Sequence, residues 1–299
     1  MSGVVLSRGL GSRLGDFART MRTYPSVAVA TAMLFASLCL VVLLPLLPGF
    51  DPYGQQLSNG MVRPFVQWAH PLGTDPLGRD LLSRLALAGR SSAIIAVVAL
   101  SLNIAVGVVL GLVAGYYGGT AESLIMGLAD LQLSIPIMML LVMVVAVAGH
   151  SLPMLILLLG LAYWVGYGRV ARVVALSLRE RDFVLASRTF GASGFWILRR
   201  HLFPQLVPQL LIMGSFDLGV MVIIESGLSY LGLGVQPPTP SWGGLIAEGQ
   251  DFLAVDPWLS ILPGLAIWLL VGGVQIMSQH LTNLRNGRTA PARAKAKRS

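Results

Sequence analysis

Six apolar runs, each of about 20 residues or more, occupy most of this 299-residue chain and leave no stretch in which a soluble domain of ordinary size could fold. They extend approximately over Tyr24–Leu47, Ser92–Tyr116, Leu124–Ala148, Leu152–Val174, Leu206–Leu231 and Trp258–Met277. A run of this length crosses a hydrocarbon core roughly 30 Å thick as a helix. Lipid satisfies no backbone polar group, so the helix is forced. The sequence therefore predicts an all-α integral membrane protein with six transmembrane helices.

The charges orient those helices. Arg8, Arg13, Arg19 and Arg22 precede the first run, seven arginines from Arg169 to Arg200 cluster around the loop between the fourth and fifth, and six cations follow the last. With the N-terminus in the cytoplasm, six crossings return the C-terminus there. Seventeen of the 21 cations then lie inside, and only Arg63, Arg79, Arg84 and Arg90 lie outside. That is the positive-inside asymmetry. It accounts for the basic balance, 21 Lys and Arg against 13 Asp and Glu, with the lipid bilayer as partner and no nucleic acid. The N-terminus has the basic flank of a signal peptide, but its apolar run is too long and no small-residue cleavage site follows, so an uncleaved anchor is expected. The expected organisation is a cytoplasmic segment 1–23, a first transmembrane helix 24–47, an external loop 48–91, a five-helix core 92–284 and a basic cytoplasmic tail 285–299, disordered or in loose association with anionic lipid. The single cysteine, Cys39, lies within the first run, and His70, His150, His201 and His280 are scattered without ligand spacing. No disulfide framework and no metal site is expected.

Within the runs, Gly107, Gly111 and Gly115 recur at intervals of four and should let a neighbouring helix approach closely. The third run holds Asp130 and Pro136, and the fifth holds Asp217 and Glu225. A charge at membrane depth costs about 2.5–3.5 kcal/mol on insertion scales, so these acids are expected to face the protein interior or a watery cavity. Each is a candidate for pathway lining or gating, and equally for a structural polar contact between helices. The external loop carries Pro and Gly at turn-forming spacing, with 79–90 expected as a short interfacial helix. The segment Tyr230–Gly244 is apolar, rich in Gly and Pro and almost uncharged. It cannot be helical throughout and requires a cover of protein.

The loop at about 175–205 is the most informative. Phe183, Ala186, Ser187 and Phe190 would share one helix face, with Arg181, Leu185 and Arg188 on another. Gly191 is placed to end that helix in a left-handed turn. A second helix, Ser193 to Phe203, would lead to Pro204 at the start of the fifth span. The residues alone are consistent with an amphipathic loop lying on the inner leaflet or with a helix–turn–helix docking element.

Leu185-Ala186-Ser187, Gly191 and Phe203-Pro204 hold the spacing of the EAA motif, and this loop resembles that of permease subunits of binding-protein-dependent ABC importers. Leu185 stands where the family usually has Glu, and Asp182 is the acid available to replace it beside Arg181 and Arg188. His70-Pro-Leu-Gly-Thr-Asp75 with Gly78-Arg79-Asp80, Asp130 with Ser134-Ile-Pro136, and Glu225 through Leu228-Ser-Tyr-Leu-Gly-Leu-Gly234 to Pro240-Ser-Trp242-Gly243 are similar to the C permease of the dipeptide, oligopeptide and nickel branch. The resemblance implies the type I ABC importer permease fold in a bacterial inner membrane. It implies a second homologous permease, one or two P-loop ATPase subunits and an extracytoplasmic solute-binding protein as partners. Arg181, Asp182, Leu185, Ala186, Ser187, Arg188, Gly191 and Pro204 would couple to the ATPase. Asp75, Arg79, Asp80 and Trp242 would lie on the binding-protein side. Short peptides are the solute that the family favours, with nickel or another metal chelate as the alternative.

The chain carries no P-loop, since its only lysines are Lys295 and Lys297. It is therefore expected to be no enzyme and to bind no cofactor, with ATP and Mg held by the partner subunits. Two other readings remain: a proton-coupled secondary transporter working through Asp130, Asp217 and Glu225, and an intramembrane serine protease at Gly191-Ala-Ser193-Gly194 with His280, although Ser193 falls in a basic loop.

Overall fold

The computed structural model describes residues 23–285. Helix α1 (Pro25–Leu38) starts at a proline, whose absent N–H would be unbonded in a first turn in any case. It continues through a π turn, Cys39–Leu43, and a 3-10 turn, Leu44–Leu46. After the external loop, α2 (Leu81–Tyr117) runs for 37 residues. Asp80 caps it, accepting the Ser83 N–H at 2.7 Å. The helix therefore begins well before the expected Ser92, and 79–90 is not a separate interfacial helix. At 1.5 Å per residue α2 is about 55 Å long, against a core of roughly 30 Å, so it projects beyond the lipid.

The third run is not one helix. Helices α3 (Gly119–Leu133) and α4 (Ile137–Ala148) meet at 89° around Ser134–Pro136. Pro136 lacks a donor and disfavours helical geometry at Ile135, which breaks the rod. The fourth run is α5 (Leu152–Ala162) and α6 (Trp164–Leu178), interrupted at Tyr163. Helices α7 (Asp182–Thr189) and α8 (Gly194–Ile197) follow. A π turn, Leu198–Leu202, joins α8 without a break to α9 (Phe203–Tyr230), so the expected second loop helix is the first part of the fifth span. A short α10 (Trp242–Gln250) and the long α11 (Trp258–Arg285) complete the described chain. By length and composition there are five membrane-spanning helices, or six with the bent α3–α4 pair as one. The residues expected as a cytoplasmic N-terminal segment and a basic tail lie outside the described residues, apart from Thr23 and Arg285.

Two contacts organise the bundle. The glycine face of α2 lies against α6 as its spacing predicts: a Cβ on Gly107, Gly111 or Gly115 would overlap the carbonyl oxygens of Trp164, Gly168 and Arg172 in turn. Ala171 and Ala175, both fully buried, meet that face from α6, so small residues oppose small residues and the backbones approach. The second contact repairs the break at Tyr163. Asn103 of α2 donates to the Leu159 carbonyl at 3.0 Å and accepts the Tyr163 N–H at 2.7 Å. Gln132 of α3 donates to the Ala162 carbonyl and accepts from the Trp164 indole, each at 2.7 Å. Backbone groups freed at membrane depth are thus bonded by amide side chains from neighbouring helices. Helix α1 closes the outside of the bundle by laying Met33 and Leu34 on Gly272 and Gly273 of α11.

Candidate functional site

Helix α7 is the first arm of a hairpin whose geometry follows from one residue. Gly191 has φ +81°, the left-handed conformation that ends a helix most readily at glycine. Its N–H donates to the Arg188 carbonyl at 2.9 Å and the Ala192 N–H donates to Ser187 at 3.0 Å, the paired bonds of a Schellman cap. Ser193 then caps α8 by accepting the Trp196 N–H. The two arms are tied by Ser187 Oγ and His201 Nε2 at 3.1 Å, with the His201 ring set against Phe183 and Trp196. Val184, Ile197 and Leu202 are fully buried beneath them.

The hairpin docks on the end of α2. Arg188 places its guanidinium 4.6 Å from the centre of the Tyr116 ring and donates to the Tyr116 hydroxyl at 3.2 Å. This aromatic partner, not Asp182, is what Arg188 finds where the family's acid is missing. Close to Gly194, a Cβ would stand 2.8 Å from the Tyr117 hydroxyl. Arg181, Asp182, Leu185 and Ala186 remain exposed, and with Phe183 and Phe190 they form the free surface of the hairpin. Pro204 is the second residue of α9, one position after the π turn is left at Phe203; its ring removes the N–H that would have bonded Arg200.

The three intramembrane acids are not equivalent. Asp130 is exposed, not interior, and pairs with Arg169 of α6 at 2.7 Å, a polar contact between helices. Together with the Glu122–Arg172 pair it straps α3 to α6. Glu225 is fully buried, accepts from Ser229 at 2.7 Å, and keeps its other carboxylate oxygen without a partner among the described residues. Asp217 faces a cleft. Its carboxylate accepts the Tyr167 hydroxyl at 2.6 Å and opens on a space of about 500 Å³ between α9 and α11, lined also by Met213, Phe216, Ser278, Gln279 and Thr282.

At the opposite end of α2, Asp75 is buried and accepts from Arg79 at 2.6 Å and Arg84 at 2.7 Å. Arg84 reaches on to Glu248 of α10 with two bonds, at 2.8 and 3.1 Å. Asp80 caps α2 and meets His70 at 3.1 Å. Trp242 is fully buried and donates its indole N–H to the Leu85 carbonyl at 3.0 Å. Asp75 and Trp242 are thus internal fastenings of the loop and of α10 to α2, whereas Arg79 and Asp80 retain access to the surface. The apolar segment before α10 is covered only in part: Gly234, Pro240, Ser241 and Trp242 are buried, whereas Tyr230, Leu231 and residues 236–239 are exposed, so the cover expected for the whole segment is not present among the described residues. Arg84 and Glu248 gave no local signal of their pairing, because they are 164 positions apart.

Residues 107–284, from the glycine face of α2 through the hairpin, the three acids and α10 to α11, match the family model described as binding-protein-dependent transport system inner membrane component. The chain belongs to this family. The permease is 36% identical over 232 residues to the nickel transport system permease protein of Escherichia coli (strain K12), covering 78% of this chain and 83% of that protein. It is 30% identical over 260 residues to the probable D,D-dipeptide transport system permease protein of the same strain, covering 87% of each chain. It is 30% identical over 245 residues to the oligopeptide transport system permease protein of Haemophilus influenzae, covering 81% of this chain and 78% of that one. It is accordingly an inner-membrane, multi-pass permease of the peptide and nickel group of ABC importers.

Proposed function

We propose that this permease pairs with a second, homologous permease to form the translocation pathway for short peptides, and that the α7–α8 hairpin is its contact with a P-loop ATPase. The observation that carries this reading is the continuity of the hairpin with the fifth span. From Gly194 to Tyr230 the helix is unbroken, so a displacement of the hairpin moves α9 as a rigid body. ATP and Mg reside on the partner subunits, and an external binding protein delivers solute at the opposite end of α2. Both termini lie in the cytoplasm, on the side of the hairpin, in keeping with the cation asymmetry. Asp217 is the pathway contact: its position in an open cleft beside Tyr167 suits a peptide ammonium group. Nickel chelates are the alternative cargo, favoured by the identity to the nickel permease. A complex that keeps a net positive charge would suit Asp217 in the same way.

Purification of the tagged chain in mild detergent, with partners identified by mass spectrometry and ATPase activity assayed on the same sample, tests the assembly. Recovery of a second permease and one or two P-loop ATPases is the expected result. A lone or homo-oligomeric chain, with uptake abolished by a proton uncoupler while ATP is maintained, would replace it with the secondary-transport reading.

A further inference from the structure

A groove of about 620 Å³ runs along the outside of the bundle between α2 and the beginning of the fifth span. Its long wall is one stripe of α2, from Ser101 and Ile104 through Val108 and Leu112 to Val113. The stripe covers about three and a half turns and, at 1.5 Å per residue, is about 18 Å long. That is close to the half-thickness of a hydrocarbon core of roughly 30 Å. The opposite wall is Phe195, Leu198 and Phe203, and the one charged residue in the lining is Arg199. Arg199 makes no ion pair with any acid among the described residues. It sits in the π turn Leu198–Leu202, at the hairpin end of the groove, where the basic loop marks the membrane surface.

The shape has consequences. Val109 and Phe195 are exposed at 61% and 70%, so the groove opens outward from the bundle, and its α2 wall lies within the apolar span. An apolar trough one leaflet long with a single cation at its surface end has the form of a phospholipid: a chain along the trough, a negative head group at its mouth. A protein helix would fill the trough equally well but would place no anion on Arg199 by virtue of its depth. We propose that this groove is a binding site for an anionic phospholipid, whose acyl chain lies along Ser101–Val113 and whose phosphate pairs with Arg199. The lipid would then touch the π turn through which the hairpin joins α9, and its presence would stiffen or free that joint. The site itself does not depend on the transport reading; only its effect on coupling does.

The test uses the full chain purified with whatever subunits accompany it, reconstituted in vesicles containing a trace of phosphatidylglycerol or phosphatidylcholine with a photoreactive acyl chain. The expected result is crosslinking concentrated on residues 101–113 and 195–203 with phosphatidylglycerol, at several times the yield of phosphatidylcholine. Arg199→Ala should lower the phosphatidylglycerol yield about fivefold, as the loss of one basic contact to an anionic lipid implies. Arg200→Ala, which lies outside the groove, should retain it and serves as the folding control. Equal labelling by the two lipids, or labelling spread evenly over every lipid-facing helix, would overturn the proposal. So would exclusion of both lipids from these residues, with a co-purified permease crosslinked there instead.

Discussion

Replacement of Gly191 tests the hairpin without disturbing its packing. No atom lies within 4 Å of where a Cβ would stand, so a side chain there meets no clash, and only the backbone conformation is at issue. At φ +81° an ordinary L-residue costs about 1–2 kcal/mol relative to glycine, and a β-branched residue costs more. The cost falls on the two cap bonds, Gly191 N–H to Arg188 and Ala192 N–H to Ser187, because these exist only while Gly191 is left-handed. A penalty of that size multiplies the opened population of the turn by a factor of roughly 5–30. Tryptic cleavage after Arg188, under conditions where opening is fast relative to cutting, should rise by a similar factor in Gly191→Ala. In Gly191→Val, ATPase recovery with the permease and coupled uptake should be lost while membrane insertion stays normal. Gly191→Asn should retain most of both, since asparagine tolerates the left-handed region. Wild-type protease resistance and full transport in Gly191→Val would refute both the cap and its role.

Three further outcomes follow from contacts described above. Arg84→Ala leaves the buried Asp75 carboxylate without one of its two guanidinium partners and should cost about 3–5 kcal/mol, read as a lower melting midpoint in detergent; Arg84→Lys should not restore it, because an ammonium cannot bridge Asp75 and Glu248 as the planar fork does. Gly111→Val should prevent close approach of α2 and α6 and reduce the folded fraction in the membrane, whereas Gly127→Ala, with nothing near its Cβ, should be neutral or slightly stabilising. Gln132→Ala unbonds the Ala162 carbonyl and the Trp164 indole, for about 1–3 kcal/mol, and should speed amide exchange around Tyr163 more than elsewhere.

What could be read before the structure was whatever depends on a local period. Hydropathy located the spans, the four-residue glycine repeat announced the α2–α6 contact, and the placement of Gly191 announced the cap. Each of these needs only neighbours along one helix. Pro136 was visible too, but a proline can kink a helix or break it, and only the surroundings decided on an 89° bend. The start of α2 was misplaced because an outward extension past the lipid has no hydropathy signal; the Asp80 cap was the available clue. The polar fastenings were the least legible. Asn103, Gln132, Arg84 and Glu248 act across helix breaks or across most of the chain, and nothing periodic brings their partners together. For the acids, the sequence left interior, cavity and interhelical placements open, and the three residues occupy different environments, because insertion cost constrains depth and says little about which helix stands opposite.

The length of α2 sets a mechanical condition on this permease. It is one uninterrupted helix of 37 residues, clamped near its first turn by Arg84 to Asp75 and Glu248, and in contact at its last turn with the hairpin through Tyr116 and Tyr117. A strut of about 55 Å that tilts by about 5° sweeps its far end through about 5 Å. The two faces of the membrane are therefore not free to rearrange separately along this element: what loosens the salt-bridge clamp at one end is felt as leverage at the other.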